Sequence, residues 1–169
     1  ITYGVSDLEL TAAYAAIADG GQYRKPVFYT KVTDSKGNVL IDNTENKATQ
    51  VFKASTASLL TNAMEDVLEK GTGVAARLDN MHAAGKTGTT NEAKDLVFAG
   101  FTPYYTAAIW ATYDTHAEFP ESDREFHKRL WAKVMNEIHE GLADMDFETS
   151  ATVQEATICT KTGLLARSS

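Results

Sequence analysis

The chain has 169 residues, with 16 Lys+Arg against 23 Asp+Glu, a formal net charge of -7 and 43% apolar residues. Such a chain is one globular domain or a large part of one, and neither a disordered tail nor a basic nucleic-acid binder. A single cysteine, Cys159, excludes an intrachain disulfide and a multi-cysteine zinc site, and no apolar run reaches the roughly 20 residues of a membrane helix.

The chain starts at Ile1 and stops at Ser169 without any terminal signal, which is expected of a piece of a longer protein. Ser6-Asp7-Leu8-Glu9 is a capping box, and Leu8, Ala12, Ala15 and Ala16 follow at helical spacing until Gly20-Gly21 stops the helix. Pro26–Val32 and Val39–Ile41 are rich in β-branched and aromatic residues and flank Asp34-Ser35-Lys36-Gly37-Asn38, which predicts a β-hairpin. Asn43 to Gln50 reads as a loop. A second helix is expected over Ser55–Lys70, with Leu59, Leu60, Ala63, Met64, Val67 and Leu68 on its apolar side and Gly71-Thr72-Gly73 ending it. His82–Thr90, Asp95–Phe101 and Thr106–Tyr113 read as three strands joined by short turns. A long helix is expected over Asp123–Leu142, with Phe126, Leu130, Val134, Ile138 and Leu142 as its apolar stripe, and a further strand at Thr152–Cys159. The class is α+β, an antiparallel sheet with packed helices.

The informative segment is Ala84-Gly85-Lys86-Thr87-Gly88-Thr89-Thr90-Asn91. Lys-Thr-Gly inside a strand is the third motif of penicillin-recognising serine enzymes, whose other two are Ser-x-x-Lys and Ser-x-Asn. The triplet alone is weak, and Lys161-Thr162-Gly163 is a second copy that reads as a turn. Around the first copy stand Gly4-Val5 with Leu8-Glu9, Ala12-Ala13-Tyr14-Ala15, Asp19-Gly20-Gly21 leading to Pro26, Glu69-Lys70-Gly71-Thr72-Gly73 with Ala75-Ala76-Arg77, Gly100-Phe101-Thr102-Pro103, and Trp110 with Tyr113-Asp114. In that order these motifs resemble the C-terminal part of the transpeptidase domain of a class A penicillin-binding protein. The match runs over Gly4–Leu142 and more loosely over Ile158–Ala166. One departure is Val97, where the family usually carries an aromatic residue.

The resemblance implies a partial serine β-lactamase/transpeptidase-like fold. It also implies a D,D-transpeptidase that cross-links peptidoglycan stem peptides through an acyl-serine intermediate and binds β-lactams. In that scheme Lys86 supplies positive charge, and Thr87 and Thr89 offer hydroxyls to the substrate carboxylate. Gly88 leaves room for substrate along the strand, and the Thr89 backbone N–H is an oxyanion-hole donor. No serine in the chain is followed three residues later by lysine, and there is no Ser-x-Asn. The nucleophile, its lysine and the relay serine are therefore expected upstream of Ile1. The chain would carry one wall of the site, remain inactive alone, and either bind its missing N-terminal part or self-associate. The parent is expected outside the cytoplasm, anchored by an N-terminal segment, with no cofactor, no metal and no nucleic-acid partner.

A serine β-lactamase-like enzyme and a non-catalytic β-lactam or peptidoglycan sensor are the alternatives, and an upstream Ser-x-x-Lys would exclude the sensor. The bland reading of Lys86-Thr87-Gly88-Thr89 is a polar edge strand. His82, His116, His127 and His139 lack metal-binding spacing, and His127 and His139 are read as solvated or capping residues on one helix. Phe98, Phe101, Trp110 and Trp131 are read as core, Cys159 as a small buried hydrophobe, and Glu118, Glu121, Asp123 and Glu125 as a solvated loop and helix start.

Overall fold

The computed structural model describes residues 4–165; what the sequence suggests for Ile1–Tyr3 and for Ala166–Ser169 lies outside the described residues. Helix α1 spans Asp7–Ala18, and both halves of its capping box form: the Glu9 amide donates to Ser6 Oγ and the Ser6 amide to the Glu9 carboxylate. Gly21 follows in the left-handed region at φ 89°, and a Cβ there would overlap the Phe52 carbonyl oxygen, so only glycine lets the two segments meet. That contact closes a small sheet with no signature in the sequence. Gln22–Tyr23 (β1) pairs antiparallel with Thr49–Gln50 (β4), inside the stretch expected to be loop.

The expected hairpin is present but shorter. Lys31–Thr33 (β2) pairs with Val39–Asp42 (β3), while Pro26–Thr30 is irregular, since proline lacks the N–H a ladder needs. Its turn is held by Asp34, whose carboxylate accepts from the amides of Lys36 and Asn38, with Gly37 at φ 86°.

Helix α2 spans Ala54–Glu69. Its buried side is Ala57, Thr61 and Leu68, whereas Leu59 and Leu60, expected on the buried face, are exposed. A three-stranded antiparallel sheet follows in the order β5 (Ala84–Thr89), β6 (Asp95–Phe101), β7 (Thr106–Thr112). The central strand β6 is nearly all buried, which its run Leu96-Val97-Phe98-Ala99-Gly100-Phe101 suits. Side chains alternate across a strand, so Phe98 and Phe101 face opposite sides of the sheet. Phe101 meets Tyr14 of α1 edge-on at 6.5 Å, and Phe98 meets Trp131 edge-on at 4.9 Å. The sheet is thus covered by α1 on one side and by α3 (Phe126–Ile138) on the other, where Leu68, Ala76, Leu78, Ala132 and Met135 complete the core.

Two glycines make that packing possible. A Cβ on Gly100 would lie 2.8 Å from Trp131 and 2.9 Å from Phe98, and a Cβ on Gly85, paired across the ladder with Gly100, would lie 2.8 Å from Phe98. The aromatic rings occupy the space those side chains would need.

Further expectations change. Helix α3 is shorter than Asp123–Leu142, because Glu121–Asp123 forms a separate single turn and His139 caps the end. Its stripe Phe126, Leu130, Val134 and Ile138 is 40–47% exposed, while His127, Lys128, Trp131, Ala132 and Met135 are buried. Trp110 is 55% exposed on β7, where its indole N–H donates to Asp95 at 3.0 Å. Thr152–Cys159 is not a strand; only an isolated bridge joins Ile158 to Leu165, and Cys159 is exposed. The turn Lys161-Thr162-Gly163 forms as read, with Gly163 at φ 69°, and its hydrogen bonds, the Thr162 side chain foremost, lower the Cys159 pKa.

The two helix histidines are buried and not solvated. His139 does cap α3, and its ring is 2.7 Å from Thr102 Oγ1 and 2.6 Å from the Met135 carbonyl. His127 has neither ring nitrogen paired, and burial, then the neighbouring Lys128 charge, lowers its pKa. His82 joins the segment after α3 to the rest: its amide donates to Asp144, and its ring lies 3.2 Å from Asp146, 3.7 Å from Asp144 and 3.8 Å from Glu65.

Candidate substrate-binding strand

Lys86, Thr87, Gly88 and Thr89 are the last four of the six residues of β5, an outer strand of the sheet. The turn that follows is fixed by Thr90 and Asp95: the Thr90 hydroxyl donates to the Asp95 carboxylate at 3.1 Å and accepts from the Asp95 amide at 2.9 Å. Asp95 also accepts from Trp110, and this bond is the leading cause of its lowered pKa. The exposed Trp110 therefore steadies the turn next to the motif from two strands away.

The Thr90 amide donates to the Asp95 carbonyl at 3.2 Å. Neighbouring residues of an antiparallel strand turn their backbone groups to opposite sides, so the N–H and C=O of Thr89 and Thr87 face away from β6, toward the open edge. The Lys86 ammonium agrees with this placement. Its side chain starts on the opposite face from Thr87, yet it folds over the edge to donate to the Thr87 carbonyl at 2.9 Å and to Thr87 Oγ1 at 3.3 Å. Thr87 and Thr89 are two residues apart and share a face. The edge thus gathers an ammonium, two hydroxyls and an outward backbone N–H along four residues.

Gly88 differs from Gly85 and Gly100. Its nearest neighbour to an added Cβ would be Val97 at 3.5 Å, an ordinary contact. The packing of this chain therefore does not demand glycine at 88, whereas it does at 85 and 100. Val97, the position where the resemblance expects an aromatic residue, is the residue paired with Gly88 across the ladder.

Two residues beside the motif are not among those the sequence singles out for binding. Thr72 Oγ1 lies 2.8 Å from Thr87 Oγ1, and the buried Lys128 donates to the Thr72 carbonyl at 3.0 Å and pairs with Glu125. Gly71-Thr72-Gly73 reads as a helix stop and as part of the flanking motif Glu69–Gly73, with no binding role assigned to Thr72, and Lys128 is a charged position on a helix whose buried face the apolar periodicity misplaces. Among the described residues no group of three or more His, Cys, Asp or Glu is arranged to hold a metal ion.

Comparison with known proteins gives consistent matches. The model of the penicillin-binding protein transpeptidase domain matches residues 1–140. Penicillin-binding protein 1A of Clostridium perfringens is 33% identical over 161 residues, 95% of this chain and 19% of that protein. Penicillin-binding protein 4 of Bacillus subtilis is 40% identical over 114 residues, 68% of this chain and 18% of that protein. The chain spans about a fifth of the length of the curated relatives it matches. Among solved structures, the PonA1 protein of Mycobacterium tuberculosis in complex with penicillin V superposes with a TM-score of 0.72 at 27% identity, over 82% of this chain and 39% of that one. Penicillin-binding protein 1A of Haemophilus influenzae gives 0.78 at 20% identity over 97% of this chain and 31% of that one, a likeness of fold. The expected α+β class is the one found, with helices on an antiparallel sheet in the serine β-lactamase-like arrangement. The chain belongs to the penicillin-binding protein transpeptidase domain family.

Proposed function

We propose that this chain is the substrate-binding wall of a D,D-transpeptidase, part of a longer peptidoglycan synthase that cross-links stem peptides through an acyl-serine and is acylated by β-lactams. The observation that supports this best is the outer edge of β5, where Lys86, Thr87 and Thr89 present one ammonium, two hydroxyls and an outward N–H beside a glycine the fold does not require. A stem peptide or a β-lactam carries a carboxylate next to the carbonyl to be attacked. Lys86, Thr87 and Thr89 would hold that carboxylate, the substrate would lie along the edge at Gly88 like an added strand, and the Thr89 N–H would donate to the developing oxyanion. The M. tuberculosis relative, solved with penicillin V, supports the β-lactam side of this reading.

The nucleophilic serine and its lysine belong, in this reading, to a preceding segment, along with the membrane anchor of an extracytoplasmic enzyme. No helix of the described residues is long and apolar enough to cross a membrane. Intact-mass spectrometry after incubation with penicillin tests the division of labour. The 169-residue chain is expected to show no mass increase, because it has no Ser-x-x-Lys to activate a nucleophile. A stoichiometric adduct would overturn the assignment of the serine to another segment.

The same reading leaves apolar residues bare on two helices, among them Leu59 and Leu60 on α2 and Phe126, Leu130, Val134 and Ile138 on α3. The isolated chain is expected to self-associate through such surface as its concentration rises. Light scattering across a concentration series is the measurement, and a monomer that persists at high concentration would count against the expectation.

A further inference from the structure

Gly71-Thr72-Gly73 ends α2, yet its geometry is more specific than a helix stop needs. A Cβ on Gly71 would lie 2.8 Å from Val67 Cα, and one on Gly73 would lie 3.0 Å from Val67 Cγ1, so the loop is pressed against the last turn of α2 at both glycines. The Gly73 amide donates back to the Val67 carbonyl at 2.9 Å. On the other side the Thr72 carbonyl accepts from Lys128, a lysine 7% exposed, buried in α3 and neutralised by Glu125. Thr72 itself is exposed, and these contacts hold its backbone so that Oγ1 sits 2.8 Å from Thr87 Oγ1.

A hydroxyl has one proton to donate and two lone pairs that accept. The Lys86 ammonium can only donate, and it fills one lone pair of Thr87. When the Thr72 hydroxyl donates as well, both lone pairs are used and the Thr87 proton must point elsewhere, toward the open edge of β5. Without an anion there, the proton can turn back to Thr72; an anion at the edge draws it outward and the Thr72 proton takes its place. Either hydroxyl of the pair can donate to the other, and each donor strengthens the next in such a chain.

We propose that Thr72 is a positioning residue that turns the Thr87 hydroxyl toward the substrate carboxylate, with Lys128 holding Thr72 in place from α3. This rests on the reading of β5 as the carboxylate-binding strand. The effect belongs to the binding of the anion, so it appears in the initial binding constant more than in the rate of acylation that follows.

The test uses the full-length synthase and follows its reaction with a fluorescent penicillin and with the methyl ester of that penicillin, separating initial binding from acylation by stopped flow. Thr72→Val keeps the shape and removes the hydroxyl. It is expected to weaken initial binding of the acid about five- to tenfold, to change ester binding less than about twofold, and to leave melting unaltered; Thr72→Ser is expected to restore the acid to within about twofold of the natural chain. Replacing Lys128 would strip Glu125 of its buried partner as well as removing the anchor, so the Thr72 pair of variants carries the test. Equal losses for acid and ester would mean a structural role and overturn the inference. So would an unaltered Thr72→Val protein in which Lys86→Ala still slows acylation strongly, and that result would leave the carboxylate-binding strand standing. If Lys86→Ala itself has no effect, the strand assignment fails and this inference with it.

Discussion

If the proposed function holds, replacing Lys86 with alanine in the full-length protein is expected to slow acylation by a fluorescent penicillin about a hundredfold, while leaving the fold intact. A unit charge pair at ~4 Å is worth about 4 kcal/mol at an effective dielectric near 20, and each ~1.4 kcal/mol is a factor of ten in rate. Lys86 is exposed, so solvent screening takes part of that away, which brings the expectation from a thousandfold to about a hundredfold. Removing the ammonium also frees one lone pair of Thr87 and the outward Thr87 carbonyl, so two further groups lose their orientation. The lysine packs against nothing in the core, and exposed substitutions of this kind usually change stability by under about 0.5 kcal/mol. An acylation rate equal to that of the natural protein, with the same melting temperature, would remove Lys86 from the site.

What is legible in the sequence and what is not follows from which signals are local. The capping box at Ser6, the Asp34 turn and the three main strands depend on neighbours in sequence, and each forms within a few residues of where it is expected. The Lys-Thr-Gly strand is legible because its flanking motifs fix its context. The burial of individual residues depends on partners far along the chain, and there sequence pattern misleads. Size assigns Trp110 to the core, but it stands on the outer strand β7 and uses its N–H on Asp95. Thr49–Gln50 looks like loop because a two-residue strand has no period to detect; its pairing depends on Gly21 bringing Phe52 close. The contact of Thr72 with Thr87 is not legible, although its motif is, because nothing in a Gly-Thr-Gly run says which strand its hydroxyl will face.

The phase of α3 is the sharpest of these differences, and it makes the second large prediction. The sequence offers two stripes. One is uniformly apolar, Phe126, Leu130, Val134 and Ile138; the other, His127, Trp131 and Met135 with Lys128 and His139, mixes an aromatic with titratable groups. Apolarity alone selects the first, and the fold buries the second, because its polar members are satisfied one by one: Lys128 by Glu125 and Thr72, His139 by Thr102 and Met135, the Trp131 indole by the Ala107 carbonyl. Of these residues His127 alone is left unpaired, and burial lowers its pKa. Its lowered pKa has a sign that can be checked. A group whose folded pKa is depressed and which is buried neutral favours the fold above its unfolded pKa, and the contribution is lost as pH falls toward the folded value.

Trp131→Ala is accordingly expected to destabilise the domain by about 3–5 kcal/mol, the range for deleting a large aromatic from a core. Trp131 is 1% exposed, meets Phe98 edge-on, donates to the Ala107 carbonyl, and fills the hollow that Gly100 leaves beneath it. Leu130→Ala, one residue earlier and on the stripe that apolarity favours, removes a side chain that is 44% exposed and is expected to cost about 0.5 kcal/mol or less. Urea melts of both variants in the full-length protein, with unaltered slope as the control for a two-state comparison, measure the difference. If Leu130→Ala proves the costlier substitution, the helix is turned by about one residue from the orientation described, Lys128 no longer reaches Thr72, and the proposed route from α3 to the edge of β5 is lost with it.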